Sequence, residues 1–333
     1  MIEVKRAGFY TSVQDTGRPA LRHLGVGLSG AMDPLALSVA NLMLDNQADA
    51  AGLEITMGTA SFVFREDTEI ALAGAPRKAM LDGHPLQNWW ARGVQAGQVL
   101  NLGAPREGVR SYLAIRGGLA VPDVLGSLST DLKGGFGGLD GRPLRNGDML
   151  SVHPTAPMAR PNPGFGLCPW LLDPYAQSGD EGSAESPSET PTIHVLPAAQ
   201  WEDLTPDARL RLTDTEWRIS PQSNRVGCLL EGPELSMPAR HEMRSHGIMP
   251  GVIQLPPSGR PMVQLCDGNT SGGYPVVATV IRTDLHRFAQ LRPGSGVRFE
   301  ACDIAQAQAL LAERERFMDD LAMRCKSLRE RLR

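Results

Sequence analysis

Two short segments concentrate side chains that could bind and activate a small polar substrate. Thr11–Arg18 (TSVQDTGR) and Ser220–Gly227 (SPQSNRVG) each combine hydroxyls, an amide and a guanidinium within eight residues. A guanidinium can pair with a carboxylate or phosphate, and an amide can orient a neutral polar group. The same residue types are common in turns whose side chains bond one another, so their chemistry leaves both interpretations open.

Four further stretches carry polar side chains, and three of them also contain glycine. They are Leu28–Pro34 (LSGAMDP), Leu53–Thr56 (LEIT), Gly251–Pro257 (GVIQLPP) and Asp267–Pro275 (DGNTSGGYP). Glycine beside polar residues exposes backbone amides, which can hold a carboxylate or a developing oxyanion. We therefore expect any substrate site to be built from these segments.

The signatures of common self-contained enzymes are absent from the sequence. Lys133–Gly138 (KGGFGG) lacks the GK[ST] of a P-loop and better fits a bulged hairpin loop. In His241–His246 (HEMRSH) the histidines are five apart, about 500° around a helix, so they do not share a face as zinc ligands would. With no GxSxG elbow and no dinucleotide fingerprint after a strand, we expect neither a self-contained hydrolase or kinase nor a metal site.

The elements that must position these segments are predicted to be mostly short strands. The 36 glycines and 26 prolines make up nearly one residue in five, against roughly one in eight on average, which indicates many tight turns. Predicted strands are Glu69–Ala73, Val99–Leu102, Ser111–Ile115, Met149–Val152, Ile193–Leu196, Met262–Cys266, Val276–Ile281 and Val297–Glu300.

Only two helices are predicted. Pro34–Leu44 has Asp33 as a natural N-cap and proline at its first position. The tail, Asp303–Arg333, repeats apolar residues every seven positions at Ile304, Leu311, Met318, Cys325 and Leu332. We expect this long helix to fold back on its own barrel, and a helix that faces a partner is the alternative.

The net charge and the cysteine pattern exclude several classes of protein. A net charge of −4 disfavours a nucleic-acid or anionic-membrane binder. Charged residues within Met1–Tyr10 replace the apolar run of a signal peptide, and no stretch approaches the ~20 apolar residues of a membrane span. The five cysteines are scattered without a CxxC pair, as expected of free thiols in the cytoplasm.

An acidic segment, Ser178–Pro191 (SGDEGSAESPSETP), marks the clearest boundary because it holds no large apolar side chain. We predict an N-terminal β domain over 1–155, a proline-rich and acidic linker over 156–191, a C-terminal β domain over 192–302 and the helix over 303–333.

Seven motifs in order resemble one family. TSVQDTGR, GLSGAMDP, LEIT, SPQSNRVG, LEGPEL, GVIQLPPSGRP and TSGGYP are similar to the allophanate hydrolase subunit 2 family. This family is also called KipA or biotin-dependent carboxyltransferase-like, and it includes the C subunits of 5-oxoprolinases. The resemblance implies two cyclophilin-like β-barrel domains, in line with the mainly β fold and few helices predicted above. The long C-terminal helix lies outside the resemblance.

The same resemblance implies an ATP-dependent 5-oxoprolinase complex, which opens 5-oxo-L-proline to L-glutamate. Its partners would be the KipI-like B subunit and the A subunit of that complex, with ATP used at the level of the complex. One alternative is a KipA-type regulatory protein that binds a KipI-like partner. The other is the carboxyltransferase component of a biotin-dependent urea carboxylase-like system, which would need a separate biotin carrier because this chain has no biotinyl-lysine motif.

If the chain belongs to a 5-oxoprolinase, Arg18 and Arg225 are predicted anion clamps, and Asp15 and Asp267 would handle a proton or position an arginine. Gly272 and Gly273 could supply backbone amides beside Tyr274. Gln14, Gln222 and Gln254 would orient the substrate, and the remaining candidates for its binding are Ser29, Asp33, Glu54, Asn224 and Thr270. Gly268-Asn269 departs from the family, whose members usually carry Arg-Gln or Arg-Pro there, so a guanidinium that could pair an anionic substrate is missing.

Overall fold

The computed structural model describes residues 1–155, 164–168, 190–237 and 243–332. Almost all of the predicted linker, 156–191, lies outside the described residues, as do His241 and Glu242. The chain divides into two compact units. The first comprises the described residues within Met1–Arg18, Ser29–Cys168 and Glu315–Arg333, and the second comprises those within Pro19–Leu28 and Pro169–Arg314.

The described elements are mainly strands. They are β1 Ile2–Arg6, β2 Tyr10–Gln14, β3 Gly52–Thr56, β4 Ala60–Phe64, β5 Thr68–Gly74, β6 Arg77–Leu81, β7 His84–Leu86, β8 Trp90–Val94, β9 Val99–Pro105, β10 Arg110–Ile115, β11 Met149–Leu150, β12 Phe165–Gly166, β13 Thr192–Pro197, β14 Trp217–Ile219, β15 Gly227–Glu231, β16 His246–Gly247, β17 Val252–Gln254, β18 Met262–Gln264, β19 Ser271–Gly272, β20 Val276–Val280 and β21 Gly296–Ala301. The helices are α1 Pro34–Met43, α2 Pro206–Asp214, α3 Leu285–Phe288 and α4 Ile304–Leu332, with a 3₁₀ helix at Pro19–Leu24.

In the first unit the strands form two six-stranded sheets. Their orders are β11-β1-β4-β9-β6-β7 and β12-β8-β5-β10-β3-β2. Apolar side chains from both sheets share one buried cluster, which includes Val4, Phe62, Leu72 and Leu113. Since β10 is buried along its whole length within its sheet, its polar residues are forced to find partners inside the unit.

Helix α1 forms as the sequence predicts. Oδ1 of Asp33 accepts from the backbone nitrogen of Ala36 at 3.0 Å, and Pro34 occupies the start of the helix. The helix buries Leu37, Val39 and Met43. The helix and its cap therefore help to fix the residues 29–33 that precede them.

In the second unit seven strands close into a barrel in the order β13-β20-β17-β18-β15-β14-β21. All neighbouring strands are antiparallel except β13 and β21, which are parallel. A separate two-stranded ribbon pairs β16 with β19, joining His246 to Gly272 and Gly247 to Ser271. The mainly β fold with few helices is confirmed; a barrel was expected in each half, and the described strands close one in the second unit and form two sheets in the first.

The C-terminal helix is also confirmed, and of the predicted seven-residue series only Cys325 is fully buried. Leu321, Cys325 and Arg329, four residues apart, are its buried residues, whereas Ile304 is 66% exposed. Arg329 donates from Nη1 to the carbonyl of Met43 at 3.0 Å and pairs through Nη2 with Glu69 at 2.5 Å. The last third of the helix is thus held on the first unit, whereas the sequence led us to expect the helix on the barrel that precedes it.

The sequence-based division at 155 and 192 differs from the observed units in two places. Residues 19–28 belong to the second unit because Arg22 donates to the carbonyls of Ile248 and Asn269 in that unit. Residues 315–332 belong to the first unit, where Arg329 is buried. In both places an arginine from a distant part of the chain makes the contacts, which no local composition signal reveals.

Candidate functional site

A buried ion pair lies at one end of the barrel. Strands β15 and β18 run antiparallel with Gly227 opposite Gln264, so Arg225 before β15 and Asp267 after β18 come together. Arg225 Nε lies 2.7 Å from Asp267 Oδ2, and Nη2 lies 3.0 Å from Oδ1. Nη2 is also 3.2 Å from Cys266 Sγ. Of the two roles predicted for Asp267, positioning an arginine is the one that this geometry favours.

A pair of glutamines is buried beside it. Gln254 ends β17 and Gln264 ends β18, and Gln264 Nε2 donates to Gln254 Oε1 at 2.9 Å. Each residue is only 2% exposed. Gln254 Nε2 and Gln264 Oε1 have no hydrogen-bond partner among the described residues. Since buried polar atoms are rarely left in this state, the pair is a strong candidate for contact with a polar ligand.

The loop Asp267–Pro275 approaches both amides through glycines. A Cβ on Gly272 would lie 2.8 Å from Gln254 Nε2, and a Cβ on Gly268 would lie 2.8 Å from Gln264 Oε1. The loop is held by Arg22, whose Nη2 donates to the carbonyl of Asn269 at 2.7 Å. The two glycines are therefore what allows the loop to lie against the glutamine pair.

The remaining candidates of the second unit lie around this loop. The backbone nitrogen of Ile248 donates to the carbonyl of Thr270 at 3.0 Å, and Gly273 and the half-exposed Tyr274 follow β19. Asn224 accepts from the backbone nitrogen of Val226 at 2.8 Å and stabilises the turn before β15, whereas Gln222 is exposed. Of the predicted residues here, Gln254, Gly272, Arg225 and Asp267 are thus the buried or closely packed ones.

In the first unit Asp15 holds a loop. Its Oδ1 accepts from the backbone nitrogen of Gly17 and the hydroxyl of Ser127, each at 2.7 Å, and from the hydroxyl of Ser129. Its Oδ2 accepts from the backbone nitrogen of Leu128 at 2.6 Å. Both carboxylate oxygens serve local structure, so the geometry favours a positioning role over proton transfer.

Arg18 is buried in the same loop. Nε donates to the carbonyl of Val124 at 3.1 Å and Nη2 to that of Ser129 at 2.7 Å. The guanidinium lies 5.0 Å from the ring centroid of Phe136, and the residue is 1% exposed. In this conformation Arg18 cross-links the loop, and its role as an anion clamp stays a prediction.

Gln14 and Ser29 also have unsatisfied polar atoms. Gln14 Nε2 donates to Ser12 Oγ at 2.9 Å and to the carbonyl of Thr130 at 3.3 Å. Gln14 Oε1 and Ser29 Oγ have no partner among the described residues, although both side chains are buried. Ser29 also has a φ of 53°, which is uncommon outside glycine. Both residues thus remain candidates for substrate contact.

Glu54 and Asp33 instead take part in a buried network around Tyr112. Glu54 Oε2 accepts from the hydroxyl of Tyr112 and from the backbone nitrogen of Met32, each at 2.8 Å, and Arg110 Nε lies 3.6 Å from Oε1. The backbone nitrogen of Asp33 donates to the Tyr112 hydroxyl at 2.8 Å. Burial and the nearby Glu54 carboxylate raise the pKa of Tyr112 well above its ordinary value, so the tyrosine stays protonated as a donor. The network supports the turn before α1.

Comparison with known proteins agrees with this architecture. The family model described as "Carboxyltransferase domain, subdomain A and B" matches residues 24–301. The chain belongs to this carboxyltransferase family. It is 37% identical to the C subunit of 5-oxoprolinase from Escherichia coli K12 over 324 residues, which cover 97% of this chain and 98% of the relative.

Two further relatives of the carboxyltransferase-family chain are a second 5-oxoprolinase subunit and a urea amidolyase. It is 32% identical to the C subunit of 5-oxoprolinase from Haemophilus influenzae, over 96% of this chain and 97% of the relative. It matches the crystal structure of K. lactis urea amidolyase with a TM-score of 0.86 and 28% identity, over 96% of this chain and 20% of that one. The family resemblance stated from the seven motifs is therefore confirmed.

The fold of this carboxyltransferase-family chain shows two further properties. Among residues 1–155, 164–168, 190–237 and 243–332, no helix is both long and apolar enough to cross a bilayer. The same part of the chain holds no group of three or more His, Cys, Asp or Glu side chains arranged to bind a metal ion.

Sequence reasoning missed three residues of this carboxyltransferase-family chain. They contribute to the glutamine pair, to the network around Glu54 and to the support of the loop Asp267–Pro275. Gln264, Tyr112 and Arg22 lie in segments with the pattern of a strand or a turn, and each contributes through a partner elsewhere in the chain. Gln264 was detectable in principle, since a glutamine in the apolar run MVQLC breaks the pattern of a buried strand.

Proposed function

We propose that this chain is the C subunit of an ATP-dependent 5-oxoprolinase, which opens 5-oxo-L-proline to L-glutamate together with a KipI-like B subunit and the corresponding A subunit. The observation that carries the proposal is the near-complete alignment with the C subunits of 5-oxoprolinases from two organisms. The complex would act as a hydrolase on a cyclic amide. The five free cysteines are in line with our placing it in the cytoplasm.

The chemistry of the barrel site suits a neutral ring that also carries a carboxylate. The glutamine pair offers uncharged polar atoms, and Arg225, whose charge Asp267 balances, offers guanidinium N–H donors beside the same strand ends. A lactam carbonyl is a poor electrophile, so the site must stabilise negative charge that develops on its oxygen. Backbone amides at Gly272 and Gly273 are our candidates, and loss of one such donor typically costs about 3–4 kcal/mol of barrier.

ATP supplies the driving force for opening a stable lactam, and we assign its binding to the complex. The glycine-rich loop Lys133–Gly138 does not fit a phosphate. The backbone nitrogens of Gly135 and Phe136 donate to the carbonyl of Asp131, and that of Gly134 donates to its Oδ1 at 2.7 Å. These amides are used within a hairpin turn, as the sequence predicts.

The test is ATP-dependent formation of glutamate from 5-oxo-L-proline by this chain mixed with its A and B partners. We expect glutamate in the full mixture and none when this chain is omitted. A full mixture with Gln95→Leu, at an exposed position of the first unit, should behave as the unmodified chain does. Glutamate formation that does not depend on this chain would overturn the proposal.

A second candidate is carboxyl transfer in a biotin-dependent system. The observation that favours it is the TM-score of 0.86 with urea amidolyase. Biotin would then arrive on a separate carrier protein. Carboxylation of urea upon addition of a biotin carboxylase and carrier, without any glutamate formation in the first assay, would favour this function, whereas a complex silent in both assays would favour KipA-type regulation.

A further inference from the structure

We propose that Gln254 and Gln264 together bind the edge of a cyclic amide, either a lactam or a cyclic ureide, through one outward donor and one outward acceptor. The inference deepens the proposed function and rests on it for the identity of the reacting ring. It assigns to Gln264 a specificity role alongside Gln254.

The two amides are joined by a single hydrogen bond. Gln264 Nε2 donates to Gln254 Oε1 at 2.9 Å, which leaves Gln254 Nε2 as a donor and Gln264 Oε1 as an acceptor. Both side chains are 2% exposed, so neither remaining atom is satisfied by bulk solvent. A buried pair in this state gains most from a ligand that supplies an acceptor and a donor together.

The conclusion does not depend on which way the amides are oriented. The oxygen and nitrogen of a glutamine side chain are assigned from its hydrogen bonds. If both amides are reversed, Gln254 Nε2 donates to Gln264 Oε1, and the remaining atoms are Gln254 Oε1 and Gln264 Nε2. The pair therefore presents one donor and one acceptor in either orientation.

This pattern matches a cis amide. In a lactam or cyclic ureide the ring forces the C=O and the N–H onto the same edge, so one edge carries an acceptor beside a donor. A carboxylate offers only acceptors, and a lactone lacks the N–H. The pair should therefore bind the amide edge of the ring, and the carboxylate of 5-oxoproline must be bound elsewhere, for example by Arg225.

The loop that contains Gly268 and Gly272 covers the pair. Gly272 lies opposite Gln254 Nε2 and Gly268 opposite Gln264 Oε1, each too close to admit a Cβ without movement. The loop is held by the pairing of β16 with β19, by the hydrogen bond from the backbone nitrogen of Ile248 to the carbonyl of Thr270, and by the one from Arg22 to the carbonyl of Asn269. We infer that these contacts release when the ring enters and that the loop backbone then contacts the ring.

The experiment compares three neutral ring probes, 2-pyrrolidinone, 2-imidazolidinone and γ-butyrolactone. They are a lactam, a cyclic ureide and a lactone of similar size. Binding to the full chain is measured by calorimetry, and inhibition is measured in the complete complex as it turns over 5-oxo-L-proline. We expect the lactam or the ureide to bind at least about tenfold more tightly than the lactone. The tighter binder of the two indicates whether the natural ring is a lactam or a cyclic ureide.

The variants are Gln254→Met and Gln264→Met, which keep the side-chain volume and remove the polar atoms. Each should abolish the tighter binding of the lactam or ureide relative to the lactone, whereas Gln95→Met should leave this difference unchanged. Gly272→Ala provides a second test that leaves both glutamines intact. Its new Cβ would lie too close to Gln254 Nε2 and should weaken binding of the lactam and ureide probes. We expect it to lower the thermal midpoint less than the methionine variants do.

The outcomes separate this inference from the proposed function. If the complex forms glutamate but neither glutamine variant nor Gly272→Ala changes the preference for the amide ring, the inference is wrong and the proposed function stands. If no glutamate forms but ring binding depends on Gln264, the proposed function is wrong and the pair binds a ureide or lactam of another reaction.

Discussion

Arg225 and Asp267 form a bidentate ion pair, with Nε 2.7 Å from Oδ2 and Nη2 3.0 Å from Oδ1. The backbone nitrogen of Asp267 also donates to the carbonyl of Arg225 at 3.1 Å, so both main chain and side chains join the ends of β15 and β18. This planar arrangement fixes the guanidinium in one orientation. Both residues are buried, so each charge is balanced by its partner and not by bulk solvent.

We predict that Asp267→Ala strongly destabilises the chain. Removal of one partner leaves the Arg225 charge buried without its carboxylate, which costs about 3–5 kcal/mol in comparable pairs. Urea denaturation measures the change. The matched control is Asp207→Ala, because Asp207 pairs with Arg211 at 2.8 Å on the exposed face of α2 and should contribute less than about 0.5 kcal/mol. Equal losses in the two variants would contradict a structural role for the buried pair.

Tyr112→Phe should destabilise the first unit by about 1–3 kcal/mol, because it leaves the buried Glu54 carboxylate and the backbone nitrogen of Asp33 each without one partner. A double-mutant cycle with Glu54→Gln isolates the contact. We expect the two changes to be non-additive by at least about 0.5 kcal/mol. Additive losses would show that the hydroxyl and the carboxylate do not stabilise each other.

His286 predicts a specific dependence of stability on pH. Burial and the nearby Arg314 and Arg287 lower its pKa to about 3. Below about pH 6.5 the unfolded chain binds a proton at this histidine and the folded chain does not, so stability falls as the pH drops from about 6.5 to 3. The slope reaches about 1.4 kcal/mol per pH unit from this one group.

Chemical denaturation at a series of pH values measures that slope. His286→Gln should flatten it between about pH 6 and 4, relative to the unmodified chain. The exposed His84→Gln provides the matched control and should keep the slope. An unchanged slope in His286→Gln would show that the histidine takes up its proton in the folded chain.

Arg329→Leu should loosen the end of the C-terminal helix. Arg329 is buried and bonds to Glu69 and to the carbonyl of Met43. Its loss removes a short ion pair from the buried Glu69 carboxylate, which also lies 3.4 Å from Nη1 of Arg116. We expect faster amide hydrogen exchange over residues 321–332 and a loss of about 3 kcal/mol. Arg324→Leu breaks only an exposed pair with Asp320 and should change neither.

How far the sequence predicts the structure depends on whether the signal is local. Asp33 and Pro34 specify the start of α1 by themselves, and short apolar runs between glycine turns locate eight of the 21 described strands. Tyr112 has no such signal, because it lies in a strand that is buried on both faces. Its role depends on Glu54, which is 58 residues away, and pairing across such distances follows only from the folded topology.

The same limit applies to the candidate site. The motifs identified Arg225, Gln254 and Asp267 by residue type, but not that Asp267 would hold Arg225 or that Gln264 would pair with Gln254. They also selected Glu54, whose carboxylate the fold buries completely. Residue type indicated which segments matter, and only the register of the barrel strands determined which side chains meet.

Gly268→Arg tests whether the departure from the family pattern matters. A Cβ at Gly268 would lie 2.8 Å from Gln264 Oε1, 2.8 Å from the carbonyl oxygen of Leu265 and 3.0 Å from that of Val226. Because two of these neighbours are backbone, the loop must shift to accept any side chain. We therefore expect Gly268→Arg to lower stability by about 1–3 kcal/mol and to reduce turnover of 5-oxo-L-proline.

Gly268→Ala separates the effect of the Cβ from that of the guanidinium. If crowding of Gln264 alone is responsible, alanine and arginine should reduce turnover to a similar extent, and the exposed Asn269→Gln should leave it unchanged. A lower KM for 5-oxo-L-proline in Gly268→Arg, absent in Gly268→Ala, would contradict this expectation. It would show that the loop readily rearranges and that an arginine there binds the substrate carboxylate, a task which in this chain we expect Arg225 to perform.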